Sequence, residues 1–193
     1  MKQEDLWNEL YSRNSVQWRG NTVIPIPNKG KALDLGCGNG KTTSVLIDEG
    51  YETTGLDFSS VAVERCWARF PESEFVVSSV LEMPFGDETF DYVTAVHILE
   101  HLGQDDLMTA AKEIRRVLRK DGFVFIRSFT PDDMRSKDRE GSDIRYIFHG
   151  LEELLEAFSG FDILESGIRE DRTRFGTTRS RVEILARKKR LPA

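Results

Sequence analysis

Between residues 31 and 129 short apolar runs alternate with amphipathic helical patterns, and no other feature constrains the fold as much. Residues 31–35, 51–57, 74–80, 90–96 and 122–129 read as strands. Helices are predicted at 41–49, stopped by Gly50, from a Ser59 or Ser60 cap to about residue 70, and at 105–119. In the last, Leu107, Ala110, Ile114 and Leu118 share one face. Strands alternating with helices of this length predict a parallel sheet covered on both faces. The flanks differ. Residues 4–13 predict a short helix with Leu6, Trp7, Leu10 and Tyr11, followed by a loop holding Trp18, Pro25 and Pro27. The stretch 131–145, PDDMRSKDREGSDIR, reads as a long polar loop, 151–158 as a helix, and 161–169 with 179–188 as an antiparallel hairpin closing one edge of the sheet.

The segment DLGCGNGKTT, 34–43, joins the first strand to the first helix of this core. A phosphate-binding P-loop requires a glycine at position 35, which is Leu35. A dinucleotide fingerprint requires a small residue at position 41, which is Lys41. What remains is a G-x-G-x-G turn of Gly36, Gly38 and Gly40, whose backbone can approach a ligand closely. Asp57, about 20 residues on at the end of the next strand, is placed to accept ribose hydroxyls. Asp34 adds negative character near a cationic ligand.

Four segments in order, ALDLGCGNG, GLDFS, MPFGDETFDYVTAVHILEHL and VLRKDGFVFI, resemble the successive motifs of class I S-adenosylmethionine-dependent methyltransferases over roughly residues 30 to 130. Among these the chain is similar to the small-molecule enzymes of ubiquinone biosynthesis. The resemblance implies an α/β, Rossmann-like, doubly wound sheet of seven strands, mostly parallel, ending in the antiparallel hairpin. It implies one methyltransferase domain over 1–193, with an N-terminal helix and lid (1–28), a cofactor-binding core (29–130) and a substrate loop, helix and closing hairpin (131–193). It places Gly36 and Gly38 under the methionine and ribose of S-adenosylmethionine, Asp57 on the ribose, Phe58 against the adenine, and Val96 behind the methionine end. Ser79-Val80 stands where the family has an aspartate–alanine pair, so adenine contact falls to an uncharged acceptor, Val80 and the backbone. Arg19, in the loop before the sheet, is either a partner of the methionine carboxylate or an ordinary surface arginine.

His97-Ile98-Leu99-Glu100-His101 matches the inverted zinc-protease pattern H-x-x-E-H. Four methyltransferase motifs outweigh that five-residue match, and the segment follows the fourth strand, where an open α/β sheet binds its ligands. If it forms one helical turn, His97, Glu100 and His101 share a face. It also resembles the E-x-x-E-H segment of two metal-using branches, the ubiquinone-pathway phenol O-methyltransferases and the small-RNA 2′-O-methyltransferases. A set of His97, Glu100, His101 and His149 would suit zinc, iron or manganese. In metal-free relatives the corresponding histidine packs or hydrogen-bonds, and His97 or His101 is then left as a general base.

The expected activity is transfer of the cofactor's methyl group to a small molecule by in-line displacement, with O-methylation assisted by a histidine base or a bound divalent metal. The alternatives are methylation of RNA or protein, and a module that binds the cofactor without catalysis. Trp7, Tyr11, Trp18, the loop 131–145 and residues 146–149 are expected to build the acceptor pocket. A net charge of −6 argues against a nucleic-acid partner. No apolar run reaches the ~20 residues needed to cross a bilayer. The N-terminus lacks the apolar core of a signal peptide, and two cysteines make no disulfide framework, so a cytoplasmic setting is expected. The basic run 187–190 reads as a solvated tail.

Overall fold

β1 (Lys31–Leu35) lies in the middle of a sheet ordered β3-β2-β1-β4-β5-β7-β6 in the computed structural model, which describes residues 2–13, 22–139 and 141–189. β2 (Glu52–Asp57), β3 (Glu74–Val77), β4 (Phe90–Val96) and β5 (Leu118–Phe129) run parallel to it. β6 (Phe161–Arg172) and β7 (Thr178–Lys188) form the antiparallel hairpin, with β7 inserted between β5 and the edge strand β6. The chain winds outward from β1 through β2 to β3, then returns to pair β4 on the other side of β1. That reversal opens a crevice at the carboxyl ends of β1 and β4.

Alternation along the strands sorts two cores. Leu33 and Leu35 of β1 pack with Val93 and Ala95 of β4 and with Leu107, Ala110 and Ile114 of α4 (Gln104–Val117). Leu154 of α6 (Leu151–Ala157) joins the same core. Ala32, Tyr92 and Phe125 face the opposite side, against Leu46 of α2 (Lys41–Asp48). α3 (Ser60–Arg69) begins as expected at a Ser59 cap, whose hydroxyl accepts the Ala62 N–H at 3.2 Å. α1 (Gln3–Ser12) buries Trp7 and Tyr11 and packs on α3.

Local departures from the sequence reading have local causes. β3 ends three residues early, because the chain turns after Ser78 donates to the Asp57 carbonyl at 3.0 Å. α4 ends at Val117 and β5 starts at once, with Asp121 in the left-handed region at φ 63° just before Gly122. The polar stretch 131–145 contains a helical turn, α5 (Met134–Asp138), started by Asp133, whose Oδ1 accepts the Arg135 N–H at 2.9 Å. The basic run near the end does not read as a tail: Lys188 is buried in β7 and its Nζ donates to the Leu118 carbonyl at 2.6 Å.

Candidate active site

The turn after β1 is built on three left-handed glycines, Gly36, Gly38 and Gly40, with φ of 64°, 53° and 75°. Crowding explains them as well as backbone strain. A Cβ on Gly38 would stand 2.6 Å from the Tyr11 hydroxyl, and one on Gly36 would stand 2.7 Å from Ile98 Cδ1. The loop is therefore enclosed from above by α1 and from the side by the segment after β4. Asp57, the last residue of β2, braces the turn: its Oδ2 accepts the Gly38 N–H and its Oδ1 the Ser59 N–H, both at 2.9 Å. Each oxygen keeps a lone pair for a ligand. Burial pushes its pKa up to about 6, although the Ser59, Gly38 and Phe58 N–H groups oppose the shift.

Asp34 serves the site from behind. Its Oδ2 accepts the Thr43 hydroxyl at 2.6 Å and its Oδ1 the Thr94 hydroxyl at 2.9 Å, so it ties β1 to α2 and β4. Burial pushes its pKa up to about 6 as well. Both oxygens accept protein hydroxyls, and Asp34 lies behind the turn, outside the lining of the hollows beside it.

The segment after β4 is not one helical turn. His97 sits in the left-handed region at φ 58°, its N–H donating to the Arg127 carbonyl at 2.8 Å, and only Leu99–His101 forms a 3₁₀ turn. His97 Nδ1 nevertheless lies 3.1 Å from Glu100 Oε1, while the Ser128 hydroxyl donates to Glu100 Oε2 at 2.9 Å. Burial works to raise the Glu100 pKa, but the hydrogen bond and charge of His97, with the charge of His101, hold the carboxyl below its ordinary value. An ionised Glu100 accepts, so Nδ1 carries a proton, and in the neutral ring Nε2 holds the lone pair. The His97 ring stacks on Phe129 at 3.8 Å between centroids.

Two hollows meet here, sharing Trp7, Tyr11, Gly36 and His97 as lining. One, of about 180 Å³, runs past Asp57, Phe58, Ser79 and Val80 to Ile98, His101 and Arg145. The other, of about 250 Å³, runs past Gly38, Lys41 and Val96 to Phe129 and the arginines of β5, α5 and β7. α1 roofs both. Gln3 clips it to the loop below, donating to the Asp143 carbonyl at 3.0 Å and accepting the Arg145 N–H at 2.8 Å. Asn8 Oδ1 accepts the Ser59 hydroxyl at 2.7 Å.

Residues 33–126, which hold the glycine turn, Asp57 and the His97–Glu100 pair, match the methyltransferase domain family. The match spans just under half of the chain. The demethylmenaquinone methyltransferase of Bacillus licheniformis is 35% identical over 133 residues, covering 64% of this chain; the chain spans only 56% of that relative's length. A putative methyltransferase of Haloferax volcanii, solved in complex with a methyltransferase activator, shares the fold at TM-score 0.74 and 19% identity, over 97% of this chain and 91% of its own. The 1,6-didemethyltoxoflavin-N1-methyltransferase of Burkholderia thailandensis, solved with that compound and S-adenosylhomocysteine, aligns at TM-score 0.64 and 25% identity, over 83% of this chain and 71% of its own.

One sequence reading needs correction. His97, Glu100, His101 and His149 do not form a metal site; among the described residues no three His, Cys, Asp or Glu side chains are grouped to hold an ion. The reason is prior commitment. His149 is buried with Nε2 on the Leu102 carbonyl at 3.0 Å, and both Glu100 oxygens are engaged. His101 is committed too: its Nδ1 meets the Arg145 carbonyl at 2.8 Å, and its ring packs edge-on against Trp7 and Tyr146. Burial, first of several causes, lowers its pKa, which suits a packed neutral ring. Arg19 and Trp18 lie outside the described residues.

Sequence reasoning missed Ser128, which fixes Glu100, and the cationic side of the larger hollow. One trace of the latter was legible: Arg179 and Arg181 stand two apart in β7, hence on one face of the strand. Nothing local marked Arg127 or Arg135 as their neighbours.

Proposed function

We propose that the chain transfers the methyl group of S-adenosylmethionine to a small molecule, with His97 as general base and Glu100 as the group that positions it. The adenosine occupies the smaller hollow, its ribose hydroxyls on Asp57 and its adenine between Phe58 and Val80, with Ser79 at its edge. The methionine end passes over Gly36 and Gly38 toward Val96. The sulfonium methyl then points into the larger hollow, and the acceptor approaches it from the side of His97. The observation that carries this reading is the single line of contacts from Asp57 through Gly38 and Gly36 to His97, at the point where both hollows meet.

Proximity and in-line orientation supply most of the acceleration. Deprotonation supplies the rest: Nε2 takes the proton of an acceptor hydroxyl, and the buried Glu100 carboxylate stabilises the resulting imidazolium. A phenolic acceptor so activated is nucleophilic at oxygen and at its ring carbons, so the same base serves O-methylation and ring methylation. Support for a small-molecule acceptor comes from the Bacillus and Burkholderia proteins, which are named for demethylmenaquinone and 1,6-didemethyltoxoflavin. The donor geometry supports a metal-free site.

The test is calorimetry with S-adenosylhomocysteine, followed by turnover of methyl-labelled cofactor with size-fractionated cell extract. Label in the small-molecule fraction, unaffected by a chelator, is the expected result. Homocysteine-product binding without transfer to any fraction would leave a binding module instead, and label in protein or RNA would reassign the acceptor.

A further inference from the structure

Among the described residues five cations line the larger hollow, Lys41, Arg127, Arg135, Arg179 and Arg181, and no carboxylate does. The whole chain carries a net charge of −6, so this concentration runs against its composition. Two of the five are held by the fold. Arg127 gives Nε to Glu183 at 2.8 Å and Nη2 to the Val23 carbonyl at 2.7 Å, and Arg181 pairs with Asp171. Bonding capacity is nevertheless left over. Arg135 Nη1 is buried without a hydrogen bond; the nearest carboxylate oxygen, on Asp133, is 3.6 Å away and already accepts the Arg135 N–H. Arg181 Nε is likewise buried without a partner. Lys41 and Arg179 make no hydrogen bond or ion pair among the described residues. Burial, and then the charges of Arg127 and Arg179, push the Lys41 pKa down. Five cations crowded in a partly closed hollow, of which Lys41 and Arg179 have no carboxylate partner among the described residues, are costly unless an anion joins them. The cofactor's methionine carboxylate accounts for one such charge and leaves the rest.

Arg135 also stands beside the base. Its guanidinium carbon lies 4.4 Å over the Phe129 ring, the ring on which His97 stacks. Phe129 thus lies between Arg135 and His97, and an anionic group held at Arg135 and Arg179 would leave the body of a small ring compound in the hollow that His97 also lines. Resting on the methyltransferase reading of this site, we infer that the methyl acceptor carries an oxyanion, a carboxylate or phosphate monoester, held by Arg135, Arg179 and Lys41. This separates the chain from the Bacillus relative, which is named for demethylmenaquinone.

The probes are benzoate, phenyl phosphate and uncharged benzamide, titrated calorimetrically into protein saturated with S-adenosylhomocysteine, so that the cofactor's own carboxylate site is filled. At least one anion should bind about tenfold or more tightly than benzamide, and the stronger of the two identifies carboxylate or phosphate. Arg135→Gln and Arg179→Gln should each weaken that anion about tenfold, while the affinity for S-adenosylhomocysteine changes by less than about threefold. Lys112→Gln, on the exposed face of α4, should change neither. Lys41→Gln is a third arm should an arginine variant fail to fold. Equal binding of benzamide and the anions, or anion binding that survives all three substitutions, overturns the inference and leaves the methyltransferase reading standing. A decanucleotide bound more tightly than either small anion, and lost in the same variants, overturns the small-molecule assignment. Absence of S-adenosylhomocysteine binding removes the methyltransferase reading and this inference with it.

Discussion

Asp57 is drawn two ways by its proton. Its native pKa lies near 6, raised by burial from an ordinary 3.8, so between those values the folded protein holds more proton than the unfolded chain. The sign follows: the stability this group contributes is fully present below 3.8 and is lost as pH rises through about 6, and Asp34 behaves alike. Ribose hydroxyls, by contrast, donate to the ionised form. Affinity for S-adenosylhomocysteine should therefore fall as pH drops below about 6, while these two aspartates favour folding; calorimetry from pH 8 to 5 beside thermal melts separates the trends. Asp57→Asn should weaken cofactor binding by about 1.5–3 kcal/mol, the worth of hydrogen bonds to a charged group, and should also cost about 1–3 kcal/mol of stability, because the amide nitrogen cannot accept one of the two N–H groups that brace the turn. His97→Ala should slow methyl transfer by about 10²–10⁴-fold at unchanged cofactor affinity. If turnover survives that substitution at every pH, the base lies elsewhere. Glu100→Gln should shift the pH–rate profile without abolishing turnover, which distinguishes positioning from direct proton transfer. At this scale the sequence was informative where chemistry is local. Gly36, Gly38 and Asp57 were identifiable because a strand-to-helix turn dictates glycine and the next strand end dictates an acceptor. The commitments of Asp34, His101 and His149 were not, because each depends on a partner far away in the chain.

Among the elements, the β1–α2 turn and α1 govern access. Gly38→Ala combines a left-handed backbone with a contact of 2.6 Å against the Tyr11 hydroxyl, and should cost about 1–3 kcal/mol of stability in addition to cofactor binding. Circular dichroism melts and calorimetry on the same variant measure both. α1 is fastened by side chains alone, Gln3 on the loop 143–145 and Asn8 on Ser59. Helices held in this way open without global unfolding. Gln3→Ala should thus cost only about 1 kcal/mol of stability yet speed release of S-adenosylhomocysteine, measurable by stopped-flow fluorescence of Trp7. A release rate unchanged from the parent protein would mean that α1 is not a gate. Strand and helix positions in the core were readable because Leu33, Leu35, Leu107 and Ile114 repeat at the periods of strand and helix. The 3₁₀ turn after β4 and the left-handed His97 were not, since no propensity places histidine there and the tertiary fold imposes it.

For the molecule as a whole, ligand binding and folding are one equilibrium. S-adenosylhomocysteine at about 100 times its dissociation constant should add about 2.7 kcal/mol of stability, a rise of about 5–11 °C for a chain of this size, read by scanning fluorimetry. No shift at any concentration would empty the proposed cofactor site. The reversal of winding between β1 and β4 gathers the site: it brings Asp57 of β2, Val96 of β4 and Phe129 of β5 to one edge, and the return of β7 beside β5 adds the arginines. By itself the sequence determined the alternating core, the glycine turn and the carboxylate at the end of the second strand, because periodicity and turn chemistry act within a few residues. Only the tertiary structure decided which partners His97, His101 and His149 find and that a negatively charged chain keeps a cationic pocket, because both rest on which distant side chains already satisfy one another.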